Sequence, residues 1–251
     1  MNLLLLAAFP VVSASLSARV MLQDDETAPR SASVSAAGAR RIQVEAHAGS
    51  LRIEGRSGLN EVRATGTARA SRRDDLEDIK LIAERNGDVV VVRADIPDSD
   101  WGNRWRALDM VIEVPDNLPL EVDDGSGGVE ISAVSGLDLN DGSGEVDIRD
   151  VRGPLVVEDG SGELRIDKVR GDVTIRDGSG EITIADVQGS VLVEEDGSGS
   201  IETRGVTGNV RVRDDGSGSI RAEDVGGDFV VDRDGSGGVR HRNVRGTVRV
   251  P

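Results

Sequence analysis

The 251-residue chain has no cysteine and no tyrosine, and it has only two tryptophans and two phenylalanines. Without cysteine it can form no disulfide, no thiolate metal site and no lipid anchor on a cysteine. Sites that bind sugars or nucleobases commonly stack the ligand on aromatic rings. This sequence can supply at most one such platform.

Basic residues are outnumbered as well, with 30 Lys and Arg against 46 Asp and Glu, which gives a net charge of -16. Nucleic acid needs Lys and Arg to neutralise its phosphates, and an anionic membrane surface also attracts basic segments. We therefore expect neither nucleic acid nor an anionic membrane surface as a partner.

Long apolar runs are confined to the start of the chain. Residues 3–12 form a short apolar stretch, and small residues follow it, with cleavage sites after Ala14 and Ala18. Ten apolar residues are short for a membrane span. We predict a cleaved signal peptide over residues 1–18, no membrane insertion afterwards, and a periplasmic, cell-surface or secreted protein. An uncleaved anchor or a misplaced start codon is the alternative, because no Lys or Arg precedes the apolar stretch.

The chain is rich in glycine, with 32 residues, and much of it lies in a repeat. The tetrapeptide Asp-Gly-Ser-Gly recurs seven times at intervals of 17 to 19 residues. A fixed period over this many copies is typical of a stacked array. The copies begin at Asp124, Asp141, Asp159, Asp177, Asp196, Asp215 and Asp234.

Within each copy, apolar residues fall at every second position on two short runs, such as Val146/Ile148 and Leu155/Val157. This period indicates half-buried strands. One copy cannot bury a core alone, so the copies must stack in register, about 4.8 Å apart. The glycines supply the corners between strands. Residues 123–251 are thus predicted to be an all-β, single-stranded parallel β-helix (β-solenoid) of about seven to eight coils with 18–19 residues each.

The residues before the repeat divide into two segments. Residues 23–38 are polar and rich in small residues, and we predict a disordered spacer over residues 19–38. Residues 39–122 alternate like strands and are predicted to start and cap the solenoid. Within them Asn86-Gly87 predicts a type I′ hairpin, and residues 74–78 allow at most one helical turn.

The order of these segments matches a known layout. A strand pair, 41–45 and 51–55, is followed by an apolar strand that ends in Val114-Pro115. Residues 118–122 then lead into coils of the form Gly-Ser-Gly-x-h-x-h-x-x-Val-x-Gly, where h is apolar. Over about residues 38–251 this resembles the bacterial adhesin family with β-strand repeats, exported proteins of unknown biochemical function. The resemblance implies a right-handed β-helical stack outside the cytoplasm, and it carries over no catalytic residues.

The repeated aspartates are the sharpest chemical feature, because stacking places them in one column. Glu145, Glu163 and Glu181 would form a second column. Carboxylates at the coil spacing repel by roughly 1 kcal/mol in water. Either Ca²⁺ bridges successive coils through carboxylate and carbonyl oxygens, or each Asp caps its own turn and otherwise faces solvent. We favour the cap, because calcium-binding nonapeptide repeats place Asp after the glycines.

Neither a helix nor a lysine follows Gly-Ser-Gly, which argues against a phosphate loop.

Few other residues suggest a site. His47 and His241 are far apart in sequence, and His241 takes an inward position at which we expect a cap residue of the last coil. Trp101 and Trp105 are expected to seal the N-terminal end of the core, or else to contact a partner. Arginines in the final coil are interpreted as protection of a terminal edge against strand addition. They are Arg240, Arg242, Arg245 and Arg249.

We therefore assign no catalytic, cofactor-binding or metal-binding residue. The prediction is a non-enzymatic, exported cell-envelope protein, an adhesin-like structural or interaction scaffold whose partner is an envelope polymer or protein. The alternatives are a polysaccharide-active β-helix enzyme and a Ca²⁺-stabilised solenoid that acts as a binding module.

Overall fold

The computed structural model describes residues 26–97 and 105–251, so the predicted signal peptide and Trp101 lie outside the described residues. In the described part, the regular structure is twenty-two strands and one 3₁₀ helix, Arg73–Asp78. No helix in that part has the length and apolar character needed to cross a membrane. The strands are β1 Glu26–Ser35, β2 Arg41–Glu45, β3 Leu51–Arg56, β4 Glu61–Ala70, β5 Lys80–Asn86, β6 Val89–Asp95, β7 Arg106–Pro115, β8 Leu120–Asp124, β9 Val129–Ser132, β10 Leu137–Asp141, β11 Val146–Val151, β12 Leu155–Asp159, β13 Gly162–Val169, β14 Val173–Asp177, β15 Gly180–Val187, β16 Val191–Asp196, β17 Ile201–Val206, β18 Val210–Val212, β19 Gly218–Val225, β20 Phe229–Val231, β21 Gly237–Val244 and β22 Val248–Arg249.

The strands form two sheets of eleven strands each. The first sheet has the order β1-β4-β7-β3-β9-β11-β13-β15-β17-β19-β21. The second has the order β22-β20-β18-β16-β14-β12-β10-β8-β2-β6-β5. From β8 onward each coil contributes one strand to each sheet, and every pair of neighbouring coils is parallel. The predicted β-solenoid is confirmed.

The core is a set of apolar columns that run along the stack between the two sheets. Ile148 pairs in register with Ile166, and Ile166 pairs with Ile184. All three are at most 2% exposed. β-branched side chains suit such columns because their few rotamers repeat from coil to coil. Burying equivalent residues over one another supplies the hydrophobic stabilisation that a single coil lacks.

Each coil bends at a residue in the left-handed backbone conformation, which follows the two inward-facing side chains of the first-sheet strand. Lys168 has φ 58°, and this break in the two-residue alternation lets Ile166 and Val169 both face the core. The valine that follows this bend in each repeat is buried for the same reason in every coil but the last, where Val244 is partly exposed. The residues at this bend with positive φ are Ala133, Asp150, Lys168, Asp186, Gly205, Asp224 and Asn243.

At the N-terminal end, the spatial order of coils differs from their order in the chain. The coil made of β2 and β3 lies between the β6–β7 coil and the β8–β9 coil, and it is parallel to both. The chain therefore winds outward to β6 and β7 and then crosses back to begin the regular array. Antiparallel strands complete this end: β5 pairs with β6, β4 with β7, and β1 with β4.

The prediction of a disordered spacer is wrong for Glu26–Ser35, which form β1. This strand pairs with β4 over ten residues, and Ala28, Ala32 and Val34 pack partly buried against the core. Arg30 donates from Nε to the carbonyl oxygen of Ile79 at 2.7 Å. Polar composition suggested disorder, but a period of two in half-buried positions suffices for a covering strand.

Two local details also differ from expectation. The turn between β5 and β6 consists of Gly87 and Asp88, and of these only Gly87, at 64°, has positive φ. Type I′ requires positive φ at both central residues, so the predicted turn type is wrong although the hairpin is present. The helical segment covers six residues in place of a single turn, and its Asp75 forms a buried ion pair with Arg106 at 2.7 Å.

Candidate functional site

The first five repeated aspartates end strands of the second sheet, the last two lie just beyond such strands, and the buried side chains point inward. In β12 the side chains of Leu155, Val157 and Asp159 are buried, whereas the two residues between them are exposed. Asp159 therefore continues the inward alternation of its strand instead of projecting from the corner. Six of the seven aspartates are between 1 and 6% exposed, and the last, Asp234, is half-buried.

The aspartates also lie in strict register from coil to coil. Asp141 pairs with both Asp124 and Asp159, and Asp177 continues the column. Asp196 and Asp215 extend it to Asp234 through parallel bridges. We call these seven residues the aspartate ladder. In the adjacent coil toward the N-terminal end, formed by β2, Ala46 is aligned with Asp124 and is 6% exposed. The ladder therefore ends against an apolar side chain.

Backbone groups of the corner bond mainly to neighbouring coils. The amide of Gly160 donates to the carbonyl oxygen of Asp141 at 2.9 Å, and that of Gly178 donates to Asp159 at 2.9 Å. The amide of Gly162 donates in the other direction, to the carbonyl oxygen of Ser179 at 3.0 Å. These bonds hold the corners together along the stack and use amides that could otherwise serve the carboxylates.

The carboxylates consequently have few donors. One oxygen of Asp159 accepts a hydrogen bond from the amide of Ser161 at 3.1 Å. Within the described residues, no donor of ordinary geometry reaches either oxygen of the other five buried ladder members. A buried polar atom without a partner costs free energy comparable to a lost hydrogen bond, and more for a charge. The expectation that each Asp otherwise faces solvent is wrong, and the expected turn cap forms clearly only at Asp159.

Burial is the main cause of raised pKa values along the ladder. It raises the pKa of Asp141 and Asp215 to about 7, with further increases from the neighbouring ladder carboxylates. Burial likewise raises the pKa of Asp159, Asp177 and Asp196 to about 6, and nearby corner amides offset part of the rise. The pKa of Asp124 is raised as well, again mainly by burial.

The described residues contain no group of three or more His, Asp or Glu side chains arranged to hold a metal ion. The predicted second column is present, since Glu163 pairs with Glu181, but it faces outward. Arg165 lies beside it and bonds to both Glu163 and Glu145. The sequence held a signal for the inward ladder in the first four copies, where the Asp follows two buried residues at spacing two, whereas Asp196, Asp215 and Asp234 follow the last buried strand residue at spacing three.

The histidines and the described tryptophan do not join the ladder. His47 is exposed at a corner near the N-terminal end, and His241 is exposed on the last coil. His241 pairs with Ala222, as the inward position predicts, and its ring centroid is 6.2 Å from that of Phe229. Trp105 is 39% exposed and lies under the guanidinium of Arg69 at 5.6 Å, so it does not seal the core.

The outward faces of the two sheets carry ion pairs that connect successive coils. Arg176 of β14 bonds to Glu158 of β12 at 3.3 Å and to Glu194 of β16 at 2.6 Å. Glu194 in turn bonds to Arg213 at 2.8 Å. In the last coil Arg242 bonds to Glu223 at 2.7 Å. Alternating charges therefore form strips along the rod.

Comparison with known families agrees with this architecture. The profile of Toastrack DUF4097 matches residues 39–243, and the chain belongs to this family. No curated protein matches the chain.

Two solved structures are similar over most of the chain. One is named a "putative adhesin" from Bacteroides fragilis, with 12% identity and a TM-score of 0.50, covering 89% of this chain and 96% of that one. Another, named a "putative adhesin" from Parabacteroides merdae, has 12% identity and a TM-score of 0.33, covering 88% and 95%. At this identity the first of these shows a shared fold.

Proposed function

We propose that the chain is a non-enzymatic, exported protein of the cell envelope that acts as an adhesin-like scaffold. It presents long flat faces to an envelope polymer or to another protein. The observation that carries this proposal is the use of the repeated residues. The glycines form corners, the valines and isoleucines form the core, and the aspartates are buried, so the repeat builds a rod.

The outward positions give that rod its interaction surface. The strip formed by Glu158, Arg176, Glu194 and Arg213 spans four coils and presents charges of alternating sign. A rigid surface with regularly spaced charges fits a partner that is itself repetitive and polar, because contacts can recur at each coil. The names of the structurally similar proteins agree with such a role, and the leader predicted from the sequence fits export.

The test uses the full chain, expressed with its leader and recovered from the periplasm, the cell surface or the medium. Sequencing of its new N-terminus checks cleavage after Ala14 or Ala18. The purified protein is then incubated with isolated envelope polysaccharide, peptidoglycan and envelope proteins, and retention is measured against an unrelated acidic protein. We expect retention by at least one fraction.

A variant with reversed charges on the strip, Arg176→Glu with Arg213→Glu, is the matched control for the proposed surface. It should fold like the natural chain and lose retention. Absence of retention by every fraction would remove the interaction role, and a cytoplasmic chain with an intact leader would remove export. Release of new reducing or unsaturated ends from a polysaccharide panel would favour an enzyme.

A further inference from the structure

The aspartate ladder brings together ionisable groups that have no counter-charge in the core formed by residues 26–97 and 105–251. The titratable groups that face each carboxyl are the ladder carboxyls of the coils before and after it. The inward residues of the strands on either side, such as Val157 and Leu164, are apolar. The charged residues next to the ladder in sequence project outward, and in most coils they are exposed. They are Asp123, Glu158, Arg176, Glu195, Asp214 and Arg233 before the ladder positions, and Glu145, Glu163 and Glu181 after the corner.

Six fully ionised carboxylates could not be stacked in this way without a large cost. Each would lose hydration on burial, and each except Asp124, which has one ladder neighbour, would lie close to two other negative charges. The ladder carboxyls of successive coils pair in register, as in Asp124–Asp141 and Asp196–Asp215. Each of these pairs is linked through a side-chain hydrogen bond, which requires a proton on one of the two carboxyls.

A calcium ion fits this arrangement poorly. Ca²⁺ needs six to eight oxygens at about 2.3–2.6 Å, so the oxygens on either side of it lie well beyond hydrogen-bond distance from each other. Each gap between coils offers two ladder carboxyls, and the corner carbonyl of Asp159 is already bonded to Gly178.

We infer that the aspartate ladder is a proton-binding site, in which protonated carboxyl groups donate to carboxylates of neighbouring coils and so hold the solenoid together more tightly in acid. Each shared proton comes from solvent and stays bonded to one carboxyl oxygen, while its hydrogen bond is accepted by the next carboxyl. One negative charge is removed for each proton taken up. A buried acceptor gains its missing donor at the same time.

The direction of the pH effect follows from the raised pKa values. In the unfolded chain these groups titrate near 3.8, whereas in the folded chain Asp159, Asp177 and Asp196 titrate at about 6 and Asp141 at about 7. The folded state therefore binds protons that the unfolded state has released. The resulting stability is fully present below about pH 3.8 and is lost as pH rises through 6 to 7.

The experiment follows thermal unfolding of the full chain between pH 5.5 and 8. Carboxylates with ordinary pKa values stay ionised throughout this window. We expect the Tm to fall by at least about 5 °C from pH 5.5 to pH 8.

The test variant carries Asp159→Asn, Asp177→Asn and Asp196→Asn. The side-chain amide of Asn has nearly the same shape as a carboxyl group, and it can donate a hydrogen bond without first taking up a proton from solvent, as in stacked Asn ladders. The variant should unfold at a higher Tm than the natural chain at pH 8 and show a smaller pH dependence, part of which stays because Asp141 and Asp215 remain.

The matched control removes three outward carboxylates, through Glu158→Gln, Glu181→Gln and Glu195→Gln, and should keep the natural pH dependence. A natural chain with equal Tm values at pH 5.5 and 8, or an Asn variant with the natural slope, contradicts proton sharing. A Tm at pH 8 that EDTA lowers and Ca²⁺ restores would assign the ladder to a cation instead.

Infrared spectroscopy of the natural chain gives a readout that does not depend on the variant folding. A carboxylic-acid carbonyl band that persists in the folded chain at pH 6.5 and is lost by pH 9 supports the ladder. Its absence at pH 6.5 overturns the inference.

Discussion

The carbonyl oxygen of Gly162 lies where a side chain on Gly180 would have to be, because a Cβ at Gly180 would come within 1.6 Å of that oxygen. The two residues pair in register at the same corner of successive coils. Gly180 also has φ of 148°, which L side chains rarely adopt. The last glycine of the repeated tetrapeptide is therefore fixed both by its conformation and by the closeness of the next coil.

Gly180→Ala should accordingly destabilise the solenoid by at least about 2–3 kcal/mol, because the corner must move away from the coil beneath it. Denaturant unfolding measures the change. Gly128→Ala is the control, since the nearest atom to its new Cβ, the carbonyl oxygen of Glu145, is 3.9 Å away. It should change stability by less than about 0.5 kcal/mol. Equal effects of the two substitutions would contradict this account of the corner.

Asp75→Ala should loosen the N-terminal cap. Asp75 pairs with Arg106 at 2.7 Å, and both side chains are less than a tenth exposed. Removing the carboxylate breaks this buried ion pair, which costs about 3–5 kcal/mol. The neighbouring Asp74 is exposed, so Asp74→Ala should be nearly silent. Chemical denaturation compares the variants, and a silent Asp75→Ala would show that the ion pair does not stabilise this end of the fold.

Phe229→Ala should weaken attachment of the last coil. Phe229 is fully buried in β20, and the final strands β21 and β22 follow it in the stack. Truncating a buried Phe costs about 3–5 kcal/mol through lost contacts and the cavity left behind. Val230→Ala, on the outward side of the same strand, should cost less than about 1 kcal/mol. Limited proteolysis should cut the Phe229→Ala protein within residues 235–251 sooner than either the natural chain or the control.

Arg176→Ala should change stability little although the residue forms two ion pairs. Its side chain is 56% exposed, and exposed pairs typically contribute less than about 1 kcal/mol. The loss of unfolding free energy caused by the substitution should become smaller still as salt is added, because salt screens exposed charges. A loss of unfolding free energy above about 2 kcal/mol would show that the charged strip stabilises the solenoid in addition to forming its proposed interaction surface.

The regular array could be predicted because its signal is local and repeated. Leu155 and Val157 alternate in one short run, and the same run recurs in every copy, so period and strand identity follow from the sequence. The inward ladder was missed because the Asp-Gly-Ser-Gly motif was interpreted as a turn, although Asp159 continues the alternation of those two residues.

The N-terminal end was less predictable for a physical reason. β1 is stabilised by its pairing with β4 and by the hydrogen bonds of Arg30 to Ile79 and Leu76, all made to residues distant in sequence. The placement of β2 and β3 between two later coils likewise depends on which edges pair, and a local pattern does not encode that choice.

The interleaved coils confine changes in length to one side of the molecule. The coil made of β2 and β3 has later coils on both faces, so an added repeat there would separate strands that must pair. Beyond β9 each coil meets only its two neighbours, and one more copy of the repeat would lengthen the rod by about 4.8 Å without altering the cap. The fold thus has a fixed base and an extendable stem, which would let duplication of a single repeat set how far the distal coils stand from the base.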